Sequence, residues 1–290
     1  MAGGAVPADP LTSAAVQPSS AHLASRFVLG MRVDQVDAPA ARDAVLHWAA
    51  QSGEHDAVAR TVCAANVHMT MESRDDREFR DIVNGADLVV ADGVPMVWAL
   101  RLLGLPQQRR VRVSPDLLLE LFAACEARGL RLGLYGGSLD TLGVFTAFLG
   151  RSYPRLEIAC AISPPFRPPT ADEDARDVDA LRAAGVQLLL VGIGCPKQER
   201  WMAAHRDRLP CTMFGVGAAF DLLGGQTKNA PAWTHDIGLE WAYRLLLEPR
   251  RLWRRYLYHN PRFVLLFARQ LLHERWQTRR LRGADRRGHV

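Results

Sequence analysis

Four short stretches carry residue types suited to chemistry on a polar, phosphorylated substrate. In Ala86-Asp87-Leu88-Val89-Val90-Ala91-Asp92-Gly93, a carboxylate stands at the end of a short aliphatic run, directly before Gly. Such a carboxylate is solvent-reachable yet partly desolvated, which suits a general base taking a proton from a hydroxyl. An Asp-Gly turn, or an Asp capping the next helix, accounts for the same residues. In Val191-Gly192-Ile193-Gly194-Cys195-Pro196-Lys197-Gln198-Glu199, an aliphatic run leads into two glycines and then Pro at a helix N1 position. That arrangement points backbone N–H groups and a positive helix end at whatever sits above the strand, so Gly194 and Lys197 are candidates for phosphate or sugar binding. Gln198 both donates and accepts, as sugar recognition requires. A plain strand–turn–helix with a solvated Lys-Gln-Glu face is the alternative. Asn66, in Cys63-Ala64-Ala65-Asn66-Val67-His68, ends another strand; capping is its default role, and His68 reads as structural. Gly215-Val216-Gly217-Ala218-Ala219-Phe220-Asp221 closes a further strand. The small residues around Gly217 permit close approach by a ligand, or tight helix–sheet packing.

Other patterns do not hold up. Asp172-Glu173-Asp174 and Asp177-Val178-Asp179 match the D-x-D of metal-dependent sugar transferases. They fall in an acidic amphipathic segment, where a solvated face explains them better. Ser138 and Ser163 lack a nucleophile-elbow context, and no H-E-x-x-H, Walker A or zinc-ligand spacing appears. Gly136-Gly137-Ser138-Leu139-Asp140-Thr141-Leu142-Gly143 is not a G-x-G-x-x-G fingerprint, which weighs against an NAD-dependent oxidoreductase, the runner-up reading.

The elements that must position these residues alternate. Aliphatic runs at 27–33, 60–65, 88–90, 132–135, 156–160, 187–191 and 212–216 read as strands. Helical periodicity covers 40–51, 76–84, 94–103, 116–127, 141–152, 171–184, 197–208 and 218–223. This alternation is the sequence form of an α/β domain, with ligands bound at the carboxyl ends of parallel strands. Residues 1–25, rich in Ala, Pro and Ser, are expected to be a disordered leader without the features of a signal peptide. The α/β core spans 26–240, a helical Arg- and aromatic-rich appendage 241–278, and a basic tail 279–290.

At 290 residues with 48% hydrophobic content, the chain can bury a sizeable core. Nothing in the composition is fibrous or collagen-like. Lys197 and Lys228 are the only lysines, so the net charge of +5 rests on Arg, a residue suited to phosphate. The five scattered cysteines, with no C-x-x-C pair, read as reduced, buried thiols of a cytoplasmic protein. No run of eighteen apolar residues occurs, so membrane association would be peripheral.

Together these pieces resemble the WecG/TagA/CpsF glycosyltransferase family. The match is carried by Ala86 to Asp92-Gly93, by Gly194-Cys195-Pro196-Lys197-Gln198-Glu199, by Gly215 to Asp221, and by Gly238-Leu239-Glu240-Trp241-Ala242-Tyr243-Arg244-Leu245 flowing into Glu248-Pro249-Arg250-Arg251-Leu252-Trp253-Arg254-Arg255-Tyr256. The likeness runs from about Phe27 to Phe267. It implies a Rossmann-like parallel-sheet core with a helical C-terminal appendage, inverting hexosyl transfer, no cofactor and no metal. Donors would be UDP-sugars carrying N-acetylmannosamine, its uronic acid or a related hexose. Acceptors would be glycans on polyprenyl diphosphate, in teichoic acid, common-antigen, capsule or exopolysaccharide assembly. By position, the family's catalytic base falls on Asp92 and its sugar-contacting Gln on Gln198.

Two departures bear on substrate identity. Ala64 stands where many relatives have Thr, and Arg110-Val111-Arg112-Val113-Ser114-Pro115-Asp116-Leu117 alters the family's Arg spacing, leaving Arg110 or Arg112 for that role.

Without a metal, the leaving diphosphate needs Arg side chains and helix N-termini. Arg244, Arg251 and Arg254 share a face if their stretch is one helix, although Pro249 interrupts it. They are expected to close over the active site. Beyond them, Trp253, Tyr256, Leu257, Phe263, Leu266, Phe267, Leu271 and Trp276 interleave with Arg255, Arg262, Arg269, Arg275 and Arg279. Basic residues among interfacial aromatics suit an anionic bilayer, here the inner face of the cell membrane. The same pattern could pack on the core or on a second subunit of a homo-oligomer. Nucleic acid is set aside because no recognition motif accompanies it.

Overall fold

The computed structural model describes residues 23–52, 58–225, 240–247 and 249–285. The leader expected over 1–25 therefore falls almost entirely outside the described residues, as do Lys228 and Gly238-Leu239.

Six parallel strands form the central sheet: β3 (Arg60–Ala65), β4 (Leu88–Ala91), β5 (Leu132–Gly136), β6 (Ile158–Ile162), β7 (Leu188–Gly192) and β8 (Thr212–Gly215). Their order is β4-β3-β8-β7-β5-β6, with β3 and β8 paired although far apart in sequence. Because helices cover both faces, the inner strands are aliphatic without polar alternation, and all four residues of β4 are buried. The pleat sorts them into two cores. Cys63, Ala65, Val89, Ala91, Leu189, Val191 and Met213 face one cluster, which includes Phe79, Val178 and Trp201. Val62, Leu88, Val90, Leu188, Leu190 and Phe214 face the other, with Leu46, Leu121 and Phe145.

The helices on the sheet are α1 (Ala38–Gln51), α2 (Val67–Asp75), α3 (Arg77–Asn84), α4 (Val94–Leu102), α5 (Leu118–Arg128), α6 (Leu139–Ser152), α7 (Ala171–Ala183), α8 (Lys197–Ala204) and α9 (Ala219–Leu223). Several starts are fixed by side-chain caps: Asp37 for α1, Asp76 for α3, Ser138 for α6, and a Thr170–Glu173 capping box for α7. Among the described residues, three further helical pieces follow: α10 (Glu240–Leu247), α11 (Pro249–Trp253) and the long α12 (His259–Asp285), with a wide turn at Arg254–Tyr258 before the last.

Several expectations need correction. The single strand expected over 27–33 is a hairpin of β1 (Ser25–Val28) and β2 (Met31–Asp34). Leu29 and Gly30 take φ of 53° and 91°, the paired left-handed geometry of a tight two-residue turn, which residue alternation does not announce. The hairpin protects the sheet edge, because the buried Asp34 carboxylate accepts from Val89 N–H on β4 at 2.8 Å. Helix α2 was not anticipated, since its apolar spacing is poor; the Asn66 cap supplies the start signal. Pro196 is the N-cap of α8 rather than its first helical residue, after a cis Cys195–Pro196 bond. The basic tail expected from residue 279 begins inside α12, which runs to Asp285. Cys160 and Cys195 are only partly buried, although all five thiols are free.

Phe263 and Phe267 do not face a bilayer. They are 5% and 7% exposed and join the core cluster containing Met69 and Met71. Arg262 is partly exposed and pairs through both terminal guanidinium nitrogens with Asp75 of α2 at the surface. Gln270 donates to Phe27 O at 2.7 Å and accepts from Leu29 N–H at 2.8 Å, so α12 is stitched to both α2 and the hairpin. The outward face carries Val264, Leu265, Leu272 and Trp276, each at least half exposed, beside the exposed Arg269. The side chains of Arg244, Arg251, Arg254 and Arg255 lie outside the described set.

Candidate active site

The carboxyl ends of β3, β4, β5, β7 and β8 open onto one cavity of about 1160 Å³, with Trp241, Leu252, Tyr256, His259 and Asn260 of the C-terminal helices on its wall. Asn66, Asp92, Arg110, Gly194, Lys197, Gln198 and Gly217 all line it, whereas Arg112 does not. This gathering follows from topology: all but Arg110 lie in the loops or first helical turn that follow a strand end, parallel strands place those ends on one edge, and Arg110 is brought in by the loop after α4.

Asp92 is half-buried at the end of β4. Gly93, not Asp92, occupies the N-cap of α4, and no side chain caps that helix. The Asp92 carboxylate is directed elsewhere: Oδ1 accepts from Val113 N–H at 3.0 Å. Its backbone N–H donates to Ala65 O at 3.1 Å, so β3 and the 108–113 loop both fix it. Arg110 donates through Nε to the Asp92 backbone carbonyl, and both residues line the cavity wall. Arg112 instead pairs with Asp116 at 3.5 Å. Of the two arginines left open by the sequence, Arg110 lines this cavity and Arg112 does not. Gln108, 1% exposed, holds this loop by donating to Val36 O at 2.8 Å and Arg109 O at 2.6 Å.

Opposite in sequence but on the same cavity, Gln198 is 3% exposed. Its Oε1 accepts from Gly217 N–H at 3.0 Å, and its Nε2 donates to Glu199 Oε1 at 2.7 Å. Gln198 thus ties the β7 loop to the β8 loop, and its carbonyl and one N–H are used within the protein. Glu199 is 1% exposed, against the solvated Lys-Gln-Glu face that the sequence offers as an alternative. Burial raises the pKa of its carboxyl, partly offset by the Gln198 hydrogen bond. No sequence signal marks it, because its charge suggests solvent and its burial arises only from the packing of α8.

Asn66 keeps its default role while lining the cavity: its Oδ1 accepts from Met69 N–H at 3.1 Å and caps α2. Gly194 and Gly217 have φ of 83° and 59°, a region where a side chain is strained, and a Cβ on either would meet only open space. Their backbones are therefore exposed to the cavity. Gly136 and Gly192 serve close packing instead: a Cβ on Gly136 would sit 2.4 Å from Gly192 O. Helix α8 begins at the cavity, so its positive end favours an anion there.

The cavity also takes in residues beyond those expected at the site, among them His68, which reads as structural in the sequence. The loop Pro164-Pro165-Phe166-Arg167-Pro168-Pro169 forms part of the rim, with Phe166 87% exposed. His68 and His259 meet edge-to-face on the wall at 5.4 Å between centroids. Both acidic D-x-D matches lie on α7, away from the cavity lining; Asp174 pairs with His205 and Arg208.

Residues 26–277 match the profile of the Glycosyl transferase WecG/TagA/CpsF family. Two relatives bear the name N-acetylglucosaminyldiphosphoundecaprenol N-acetyl-beta-D-mannosaminyltransferase. That of Bacillus spizizenii is 30% identical over 216 residues, covering 74% of this chain and 79% of the relative. That of Bacillus subtilis is 25% identical over 214 residues, covering 73% and 80%.

Proposed function

The chain belongs to the WecG/TagA/CpsF glycosyltransferase family, and from that premise we propose that it transfers an N-acetylmannosamine-type sugar from UDP to a glycan on polyprenyl diphosphate, inverting the anomeric centre. The acceptor reading is supported by the names of the two relatives. The observation that carries the mechanism is the position of Asp92: a loop-anchored carboxylate on the wall of the same cavity as the α8 N-terminus and the bare backbone of Gly194 and Gly217.

In this reaction the acceptor hydroxyl oxygen attacks the sugar's anomeric carbon from the face opposite the diphosphate. Asp92 takes the hydroxyl proton as the new bond forms. The bond from the anomeric carbon to the diphosphate oxygen breaks, and its electron pair leaves with UDP. The charge that develops on the diphosphate is met by backbone N–H groups and by Arg110, a preorganised arrangement that needs no reorientation during the step. Gln198 keeps the β7 and β8 loops at fixed separation, which sets the width of the donor cleft. Arg244, Arg251 and Arg254 are assigned to closure over the bound donor. The outward stripe of Val264, Leu265, Leu272 and Trp276 with Arg269 suits the bilayer surface where a polyprenyl-linked acceptor resides. Among the described residues, no helix is long and apolar enough to cross a membrane.

Incubation with UDP-N-acetylmannosamine and a short-chain polyprenyl-diphosphate-linked N-acetylglucosamine tests this reading. UDP release with a product anomer opposite to that of the donor is expected. No transfer across a panel of UDP-sugars, or a retained anomer, would overturn it.

A further inference from the structure

We propose that His68, Glu72 and His259 form a binding site for one divalent transition-metal ion, which clasps the C-terminal helix α12 to helix α2 of the core. His68 and Glu72 lie one helical turn apart on α2, and His259 is the first residue of α12. His68 Nδ1 is 3.6 Å from Glu72 Oε1, and His259 Nε2 is 3.8 Å from the same oxygen. The three ligand atoms all lie within 4.8 Å of one another. A tetrahedral ion with bonds of about 2.0–2.1 Å holds its ligand atoms about 3.3–3.5 Å apart, so small side-chain rotations complete the set.

The chemistry of the donors selects the ion. Two imidazole nitrogens and one carboxylate oxygen suit zinc-like ions and not calcium or magnesium, which take oxygen ligands. Three protein ligands leave one further position for water. The site is also preorganised by a second contact. Arg262 pairs with Asp75 three residues further along each helix from His259 and Glu72, so the same two faces are already locked together. Nothing in the local sequence announces this cluster, because its third ligand comes from the far end of the chain. The ion would act as a cross-link, and the proton transfer and leaving-group stabilisation assigned above do not pass through it. Its test is therefore independent of the sugar-transfer reading.

Untagged, metal-stripped full-length protein is titrated with Co²⁺ and followed by visible d–d absorption, with Zn²⁺ competing and thermal unfolding measured alongside. One ion per chain is expected, with a nitrogen/oxygen spectrum that lacks thiolate charge-transfer bands. His68→Ala, Glu72→Gln and His259→Gln should each weaken binding at least tenfold. Zn²⁺ should raise the Tm of the wild type and not of these variants. The conservative Gln replacements retain side-chain volume, and circular dichroism confirms that α12 is still formed. No saturable binding, binding unchanged in all three variants, or a spectrum dominated by thiolate bands would each overturn the proposal.

Discussion

Replacing Phe263 or Phe267 should cost stability, whereas replacing their neighbours Val264 and Leu265 should cost membrane affinity. The two rings are 5% and 7% exposed, stack on each other at 5.7 Å between centroids, and join the core cluster. Truncating a buried Phe to Ala costs about 3–5 kcal/mol, a large part of the roughly 5–15 kcal/mol that holds a domain folded. Because α12 is a terminal element, the loss should appear first as its detachment. Hydrogen exchange should then accelerate over residues 259–277 before the central strands respond. The pair is in contact, so the double variant should cost less than the sum of the singles. Val264 and Leu265 are 65% and 60% exposed, and Ser at both should change folding stability by under about 0.5 kcal/mol. If each side chain contributes about 1–1.5 kcal/mol on entering a bilayer, the double change should lower vesicle partitioning roughly thirty- to 150-fold. Urea melts, hydrogen exchange and flotation on vesicles containing anionic lipid, run on the same proteins, read all of these effects. The reasoning fails if Phe263→Ala abolishes flotation while exchange over α12 is unchanged, since the ring would then be meeting lipid and not the core.

Other expectations follow from the cavity wall. Gly136→Ala should destabilise the fold by about 3 kcal/mol or more, because the new methyl meets the β7 backbone at a φ of 135°; a urea midpoint checks it. Arg110→Ala should lower kcat/KM at least tenfold and Arg112→Ala less than threefold, as only the first side chain lines the cavity; steady-state kinetics on both separates them. Glu199→Gln should keep the Gln198 contact and most activity, whereas Glu199→Ala should lose it. Burial raises the Glu199 pKa, so the folded chain holds more protons than the unfolded chain just above the ordinary carboxylate range. Stability should therefore fall as pH rises through that window, and Glu199→Gln should remove that component of the slope in pH-dependent urea melts.

The sequence exposed the sheet and the residues at its edge, because both depend on local patterns. Aliphatic runs buried on two faces cannot be mistaken for solvent-alternating strands, and β3 falls over 60–65 as the residues suggest. Asp92, Asn66, Gly194 and Gly217 all follow such runs, and parallel topology brings strand ends together. Long-range packing was not legible. The helical spacing of the appendage identified its aromatics but not their direction. Phe263 and Phe267 turned inward because α2 and the hairpin offered an apolar seat, and Val264 and Leu265 were left outside. Glu199 was hidden for the same reason: its charge suggests solvent, and only the tertiary fold shows that α8 buries it. The pairing of His68 with His259 joins residues near opposite ends of the chain, beyond the reach of any spacing rule.

The most direct test of the account is the transfer rate of Asp92→Asn beside its affinity for UDP. Asn retains an Oδ1 acceptor for Val113 N–H, so the loop that positions this residue should stay in place and UDP affinity should stay within about threefold. What the substitution removes is the ability to accept a proton, a contribution of about 10²–10⁴ in rate. The account predicts a loss of transfer of at least about a hundredfold with UDP binding, measured by calorimetry, nearly unchanged. Transfer within about threefold of wild type would contradict it and return Asp92 to the role of a turn residue holding the 108–113 loop.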